Sequence, residues 1–279
     1  MRPPRDEDAG WVAELVSRHT PEPFPVERVL EAWHAPGIDA ERDLRIEDDA
    51  AAFVDPDGER AWLRLAGRPS PGLVAWAIER ARESGATRLL AGEWAGAPAL
   101  AQLEHAGFHR RGESVRMRIE LAGEQVAPRW PKGISVRGYR DGDAEAVYRV
   151  HLETFQDMTE PMRASFEEWS HWFLAAPLFE PATWFLAEDV AELVGISLCH
   201  PAEEENVAMV GILGVRAPWR RRGLGRALLE HSFRELGRRG FRAVTLGAEA
   251  SSPTGADQLY ERAGMRVTHR RLRYEKVLA

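Results

Sequence analysis

Two stretches of this chain follow one plan, and that repeat limits the folds available to it. Arg5-Asp6-Glu7-Asp8-Ala9 precedes an amphipathic run from Trp11 to Arg18, and Arg140-Asp141-Gly142-Asp143-Ala144 precedes another from Val147 to Leu152. In each, an Asp stands where it can cap the helix that follows. Further on, Ala75 to Gly85 reads as a helix leading into the strand Ala86 to Leu90, as Ala227 to Gly240 leads into Phe241 to Leu246. Each half then has a short helix ending in Ala-Gly and an apolar residue, Leu103 to Phe108 and Tyr260 to Met265. Alternating strands close both halves, Ser114 to Leu121 and Thr268 to Leu278. Matching order and spacing point to a duplicated unit. The stretch Ala122 to Gly133 carries glycine and two prolines and reads as the connection. The expected domains are therefore 1–122 and 133–279, joined by a linker over 123–132. The second half runs helix, helix, strands, helix, strand, helix, strand, a mixed α/β arrangement.

With 279 residues the chain can hold two domains, and 44% hydrophobic with 29% charged residues is the composition of a soluble globular protein. A net charge of −7 argues against nucleic acid as a partner. Arg216, Arg220, Arg221, Arg222 and Arg226 nevertheless crowd one short stretch, which suits a small anionic ligand. The single cysteine, Cys199, permits no internal disulfide. No apolar run approaches the roughly 20 residues of a membrane span, and MRPPRDEDAG lacks the apolar stretch of a secretory signal. The expectation is a cytoplasmic monomer or homodimer with no membrane partner. His151, His171, His200, His231 and His269 show no metal-ligand spacing, so no metal is expected.

The chemistry concentrates in the segment from Val215 to Ala227. It lies between an apolar strand and a helix whose Leu228, Leu229, Phe233 and Leu236 recur at helical spacing. Unpaired amides at a helix N-terminus and the helix dipole make such a turn an anion site. Gly223 and Gly225 carry no Cβ and let a ligand approach the backbone. A Walker loop would need Gly-Lys-Ser/Thr, and a dinucleotide turn would need a third glycine where Leu228 stands.

Arg220-Arg221-Arg222-Gly223-Leu224-Gly225 resembles the pyrophosphate loop Gln/Arg-x-x-Gly-x-Gly/Ala of the GNAT acetyltransferases. The resemblance implies two tandem GNAT-like domains, each a mixed, mostly antiparallel sheet flanked by helices. It implies that acetyl-CoA is the co-substrate, held by backbone amides from Arg221 to Arg226, with Leu213, Gly214 and Val215 pairing to the pantetheine arm as to an added strand. Ser251 to Met265 is similar to the family's Asn-x-x-Ala-x-x-Leu-Tyr-x-x-x-Gly-Phe segment. That places Tyr260 as the acid for the departing thiolate and puts Ser252 where the family has Asn. A phenol of pKa ~10 is a credible donor to an alkyl thiolate. The implied reaction moves an acetyl group directly to a primary amine of a small molecule. The tandem arrangement with one worn copy is similar to that of the mycothiol synthases, which acetylate a cysteinyl pseudo-disaccharide. A non-catalytic acyl-CoA sensor is the alternative from another class.

A base for the acceptor ammonium has several candidates: Glu188, His200, Glu203, Glu204, Glu205 and carboxylates between Asp157 and Glu168. Cys199 reads as a buried strand thiol. Phe155, Asp157, Glu160, Phe166, Glu167, Glu168, Trp169, Trp172 and Phe173 form an aromatic and acidic stretch suited either to a cationic amine or to a core stripe. The first half keeps neither loop glycine opposite Arg220 to Gly225, has Pro69 there, and has Leu103 in the place of Tyr260. It is expected to be a degenerate copy whose Trp33, Trp62, Trp76 and Trp94 serve its core.

Overall fold

The computed structural model describes residues 1–21, 23–156, 162, 164–175, 179–250 and 255–278. The chain divides into two compact units, Met1–Val115 with His269–Ala279, and Arg116–Thr268. After a single turn at Asp6–Asp8 come α1 (Ala9–Ser17), α2 (Val26–Trp33), α3 (Ala40–Asp43), β1 (Leu44–Glu47), β2 (Ala50–Asp57) and β3 (Arg60–Gly67). The chain continues through α4 (Pro71–Glu83), β4 (Arg88–Trp94), α5 (Ala99–His105) and β5 (His109–Glu120). The plan then repeats as β6 (Ile134–Gly138), α6 (Ala144–Thr154), α7 (Phe166–Phe173), β7 (Trp184–Asp189), β8 (Glu192–Pro201) and β9 (Val207–Val215). It ends with α8 (Leu224–Arg238), β10 (Ala243–Glu249), α9 (Ala256–Arg262) and β11 (Arg266–Val277). The expected α/β class, with a mostly antiparallel sheet in each unit, is what the structure shows.

In the first unit β1, β2 and β3 pair antiparallel and β3 pairs parallel with β4. In the second, β6 to β9 pair antiparallel and β9 pairs parallel with β10. The parallel pairs follow from connection length, since α4 and α8 each carry the chain back across the sheet. The closing strands are allotted crosswise. β11 runs antiparallel along β4, from Arg271 opposite Trp94 to Val277 opposite Arg88. β5 flanks β10, and the Leu121 amide donates to the Arg242 carbonyl at 2.7 Å.

Strand alternation sorts the cores. Ala50, Ala52 and Val54 of β2 pack toward Leu73, Val74 and Ala77 of α4, whereas Ala51 and Phe53 pack toward Val12 and Leu15 of α1. In the second unit Ile196 and Leu198 of β8 join Val147 and Val150 of α6 and Trp169 of α7. Ser197 points the other way and bonds Ser232 of α8 at 2.8 Å.

The aspartates before α1 and α6 do not cap forward as expected, since neither helix has a side-chain cap bond. Each reaches back. Asp8 accepts from the Arg5 amide at 2.7 Å and holds Arg2 through both carboxylate oxygens. Asp143 likewise accepts from the Arg140 amide at 2.7 Å and holds Arg137 through both oxygens. Folding the entry turn onto a paired arginine satisfies the carboxylate better than exposed helix amides can. The same device in both units is structural support for the repeat.

A buried ion pair ties α3 to α4 in the first unit. Arg80 donates to Asp43 at 2.7 Å, and the Asp39 amide donates to the other oxygen of Asp43, also at 2.7 Å. Both side chains are buried, so losing one partner strands a charge. Asp43→Ala is expected to cost about 3–5 kcal/mol in urea unfolding. Asp43→Ala with Arg80→Met is expected to cost less than Asp43→Ala alone.

Candidate active site

In the second unit the parallel pairing of β9 and β10 runs only from Val207 opposite Ala243 to Val210 opposite Leu246, among the described residues. β9 continues to Val215 and β10 to Glu249. On its other side β9 stays paired with β8 as far as Val215 opposite Gly195. Beyond Val210, therefore, the edge of β9 that carries Leu213, Gly214 and Val215 is open on the β10 side. Such an edge presents backbone donors and acceptors that need partners.

The expected anion turn begins where that edge ends. After a short turn at Ala217–Trp219 the backbone is left-handed at Arg221 (φ 63°) and at Gly223 (φ 87°). Left-handed residues separated by one residue turn successive amides toward a common point, a nest for anions. A left-handed arginine is strained, and such strain gathers at functional sites. Gly223 is the N-cap of α8 and, being glycine, brings no side chain to cap that helix. A Cβ on Gly223 would meet nothing within 4 Å, so its surroundings are open. Gly225 differs from the expectation drawn from its missing side chain. A Cβ there would lie 3.2 Å from Leu259 of α9 and 3.6 Å from Val215, so its smallness lets three elements close together. Leu224 is buried beneath the turn.

The arginines divide. Arg216 pairs with Glu153 at 2.8 Å and with Glu192, and Arg226 pairs with Glu230 at 2.7 Å. Arg220 turns back to the Val215 carbonyl at 2.9 Å and the Thr154 carbonyl at 3.3 Å, lashing the turn to β9 and α6. Trp219 adds a bond to Asp189 at 2.8 Å. Arg221 and Arg222 lie exposed on the turn itself. Of the five arginines, Arg216 and Arg220 tie the loop to neighbouring elements, and Arg226 pairs within α8 itself.

Tyr260 sits on α9 and is 8% exposed. Burial pushes its phenol up to about 12, so it is protonated at neutral pH. Ser252 lies outside the described residues, as do Asp157 and Glu160. Of the other base candidates, Glu188 is held by Arg137 at 2.7 Å, and Glu204 is held by Arg118 at 2.8 Å and by Arg242. Cys199 is fully buried, which pushes its thiol up to about 11. The aromatic stretch also divides. Trp169 is 0% exposed and donates to Nδ1 of His151 at 2.9 Å, whereas Trp172 is 53% exposed. Burial depresses His151 to about 4 and keeps it neutral. Among the described residues no cluster of His, Cys, Asp and Glu could hold a metal.

The first unit repeats the geometry with a different outcome. β3 and β4 pair only from Arg60 opposite Arg88 to Leu63 opposite Ala91, though both strands run on. Past that point the Leu65 amide donates to the carboxyl of Glu93, a buried side chain of β4. At the start of α4 the N-cap Ser70 gives both its amide and its hydroxyl to Glu47, at 2.7 and 2.8 Å. The chain's own side chains thus meet the strand edge and the helix terminus, where Ser70, braced by Glu47, accepts from the Leu73 amide at 3.2 Å. Composition hid this; a lone acid in the apolar run Leu89-Leu90-Ala91-Gly92-Glu93-Trp94 was the available signal.

Residues 144–265 match the model of the Acetyltransferase (GNAT) family. The crystal structure of a GCN5-related N-acetyltransferase from Sphaerobacter thermophilus superposes with a TM-score of 0.80 at 29% identity, over 99% of this chain and 95% of that one. A tandem GNAT protein from the clavulanic acid biosynthesis pathway superposes with a TM-score of 0.72 over 100% and 97% of the two chains; at 17% identity this likeness concerns the fold alone. Residues 144–265 thus carry the GNAT-family match, and the chain as a whole is built as two GNAT-like units. It is 36% identical over 188 residues to the mycothiol acetyltransferase of Geodermatophilus obscurus, covering 62% of this chain and 58% of that one. It is 33% identical over 202 residues to that of Acidothermus cellulolyticus, covering 67% and 61%. The chain therefore spans about three fifths of the length of these two curated relatives.

Burial pushes Glu93 up to about 7 from an ordinary 4.5, against the pull of Arg271. The folded state thus holds this proton more tightly than the unfolded state, and stability falls as pH rises from 4.5 toward 7. Glu93→Gln keeps an acceptor for Leu65 without the charge. It is expected to stabilise the first unit by on the order of 3 kcal/mol above pH 7 and by nothing near pH 4, read from thermal unfolding across pH.

Proposed function

We propose that the second unit is an N-acetyltransferase that moves an acetyl group from acetyl-CoA directly to a primary amine of a small molecule. The observation that carries this reading is the open β9 edge from Leu213 to Val215 running into the left-handed turn at Arg221 and Gly223. The amides from Arg221 to Arg226 would hold the pyrophosphate, and the β9 edge would pair with the amides of the pantetheine arm. Arg221 and Arg222, exposed on the turn, add attraction for phosphate. Acetyl-CoA supplies the activated thioester. Tyr260 holds a proton for the sulfur that leaves. The burial that makes a phenol a weaker acid makes a sheltered thiolate a stronger base, as the lift of Cys199 illustrates, so the match between donor and acceptor survives desolvation.

The mycothiol acetyltransferases among the relatives support a narrower acceptor, a cysteinyl pseudo-disaccharide amine. The protein would act as a small-molecule enzyme with no nucleic-acid partner. An acyl-CoA sensor is the opposing outcome. The test combines calorimetric binding of acetyl-CoA with thiol release across an amine panel that includes cysteinyl glycosides. Micromolar binding with turnover supports the enzyme, and tight binding without turnover on any amine favours the sensor. Tyr260→Phe is expected to lower kcat about 100-fold with acetyl-CoA affinity unchanged. Gly223→Val is expected to weaken acetyl-CoA binding at least tenfold, because it opposes the left-handed φ and shades the amides.

A further inference from the structure

His200 stands near the C-terminal end of β8, opposite Met209 of β9. The pairing of these strands slips between Leu198 and Cys199: Leu198 faces Ile212 while Cys199 faces Val210, leaving Gly211 as a bulge. Gly211 is also the first residue of β9 beyond its last pair with β10, so the bulge marks the apex where the two strands part. The imidazole lies over that bulge. A Cβ on Gly211 would come within 3.3 Å of both Cδ2 and Nε2 of His200. Nδ1 is 2.7 Å from the Pro201 carbonyl, which can only accept, so the ring proton resides on Nδ1. Nε2 of the neutral ring is then the basic nitrogen. Alternation along β8 puts His200 on the face of Ile196 and Leu198, the face covered by α6 and α7, and opposite to Ser197 and Ser232.

A cofactor whose pyrophosphate sits at Gly223 and whose arm runs back along Val215, Gly214 and Leu213 brings its thioester end toward Gly211. We propose that His200 is the general base of the transfer, an assignment that rests on the acetyltransferase reading of this site. Nε2 takes one proton from the acceptor ammonium, and the freed lone pair forms the N–C bond to the acyl carbon. The C–S bond breaks with its electron pair going to sulfur, which takes the proton of Tyr260. The second proton of the amine, shed once the N–C bond exists, restores Tyr260, and His200 returns its proton to solvent. The rival carboxylates Glu188 and Glu204 are already committed to arginines.

The test uses the full chain. Long-range nitrogen–proton NMR of the free protein is expected to show His200 protonated on Nδ1 with Nε2 bare; the opposite tautomer overturns the assignment. His200→Gln and His200→Ala are expected to bind acetyl-CoA within twofold of the parent and to turn over amine about 100-fold more slowly. Millimolar imidazole is expected to restore His200→Ala at least tenfold. Turnover within threefold of the parent, or a loss of turnover matched by an equal loss of acetyl-CoA affinity, overturns the role. A parent that does not bind acetyl-CoA overturns the cofactor reading itself. A parent that binds it but consumes no amine overturns both the transfer and its base.

Discussion

Backbone amides and carbonyls removed from water must find partners, and each unit contains a parallel strand pair that stops providing them after four residues. Everything distinctive about the two units follows from how that shortfall is met. In the second, the β9 edge is left without a β10 partner beyond Val210, with only the Val215 carbonyl taken up by Arg220, and α8 starts at a glycine that has no side chain to cap it. The surrounding packing holds that arrangement apart: Gly225 admits Leu259, Gly214 admits Thr154 of α6, and Arg220 and Trp219 anchor the start of the turn to β9, α6 and β7. Rigidity around an open strand edge is what a binding site for an amide-rich, anionic ligand requires.

The two units share more than a sequence plan. Arg2 with Asp8 and Arg137 with Asp143 close the entry turns in the same way, with the same amide donor three residues before each aspartate. Conserving that turn while exchanging the chemistry of the cleft is economical, because the turn sets the entry angle of the first helix and the cleft is set by strands elsewhere.

Much of this was legible in the sequence. The repeat, the amphipathic helix α8, the glycine turn before it and the buried Cys199 all declare themselves through periodicity or spacing. Tertiary partners were less accessible. Nothing local says that Asp8 and Asp143 look back to an arginine, or that Arg216 and Arg226 meet carboxylates before they could meet a ligand. The bulge at Gly211 is also silent, because one extra residue in a strand leaves no compositional mark. The crosswise closing strands were beyond reach for a plainer reason: β5 and β11 have interchangeable alternating patterns, and pairing choice is a long-range matter.

Glu47 and Glu93 in the first unit carry one more consequence. A fold whose open amides are served by a diffusible ligand gains stability in proportion to the logarithm of that ligand's concentration. A fold that supplies the acceptors from its own side chains is insulated from supply. If the second unit takes the acyl donor proposed for it, the two units should respond differently to starvation for that donor: one loosens as the pool empties, and the other, with its acceptors covalently attached, does not.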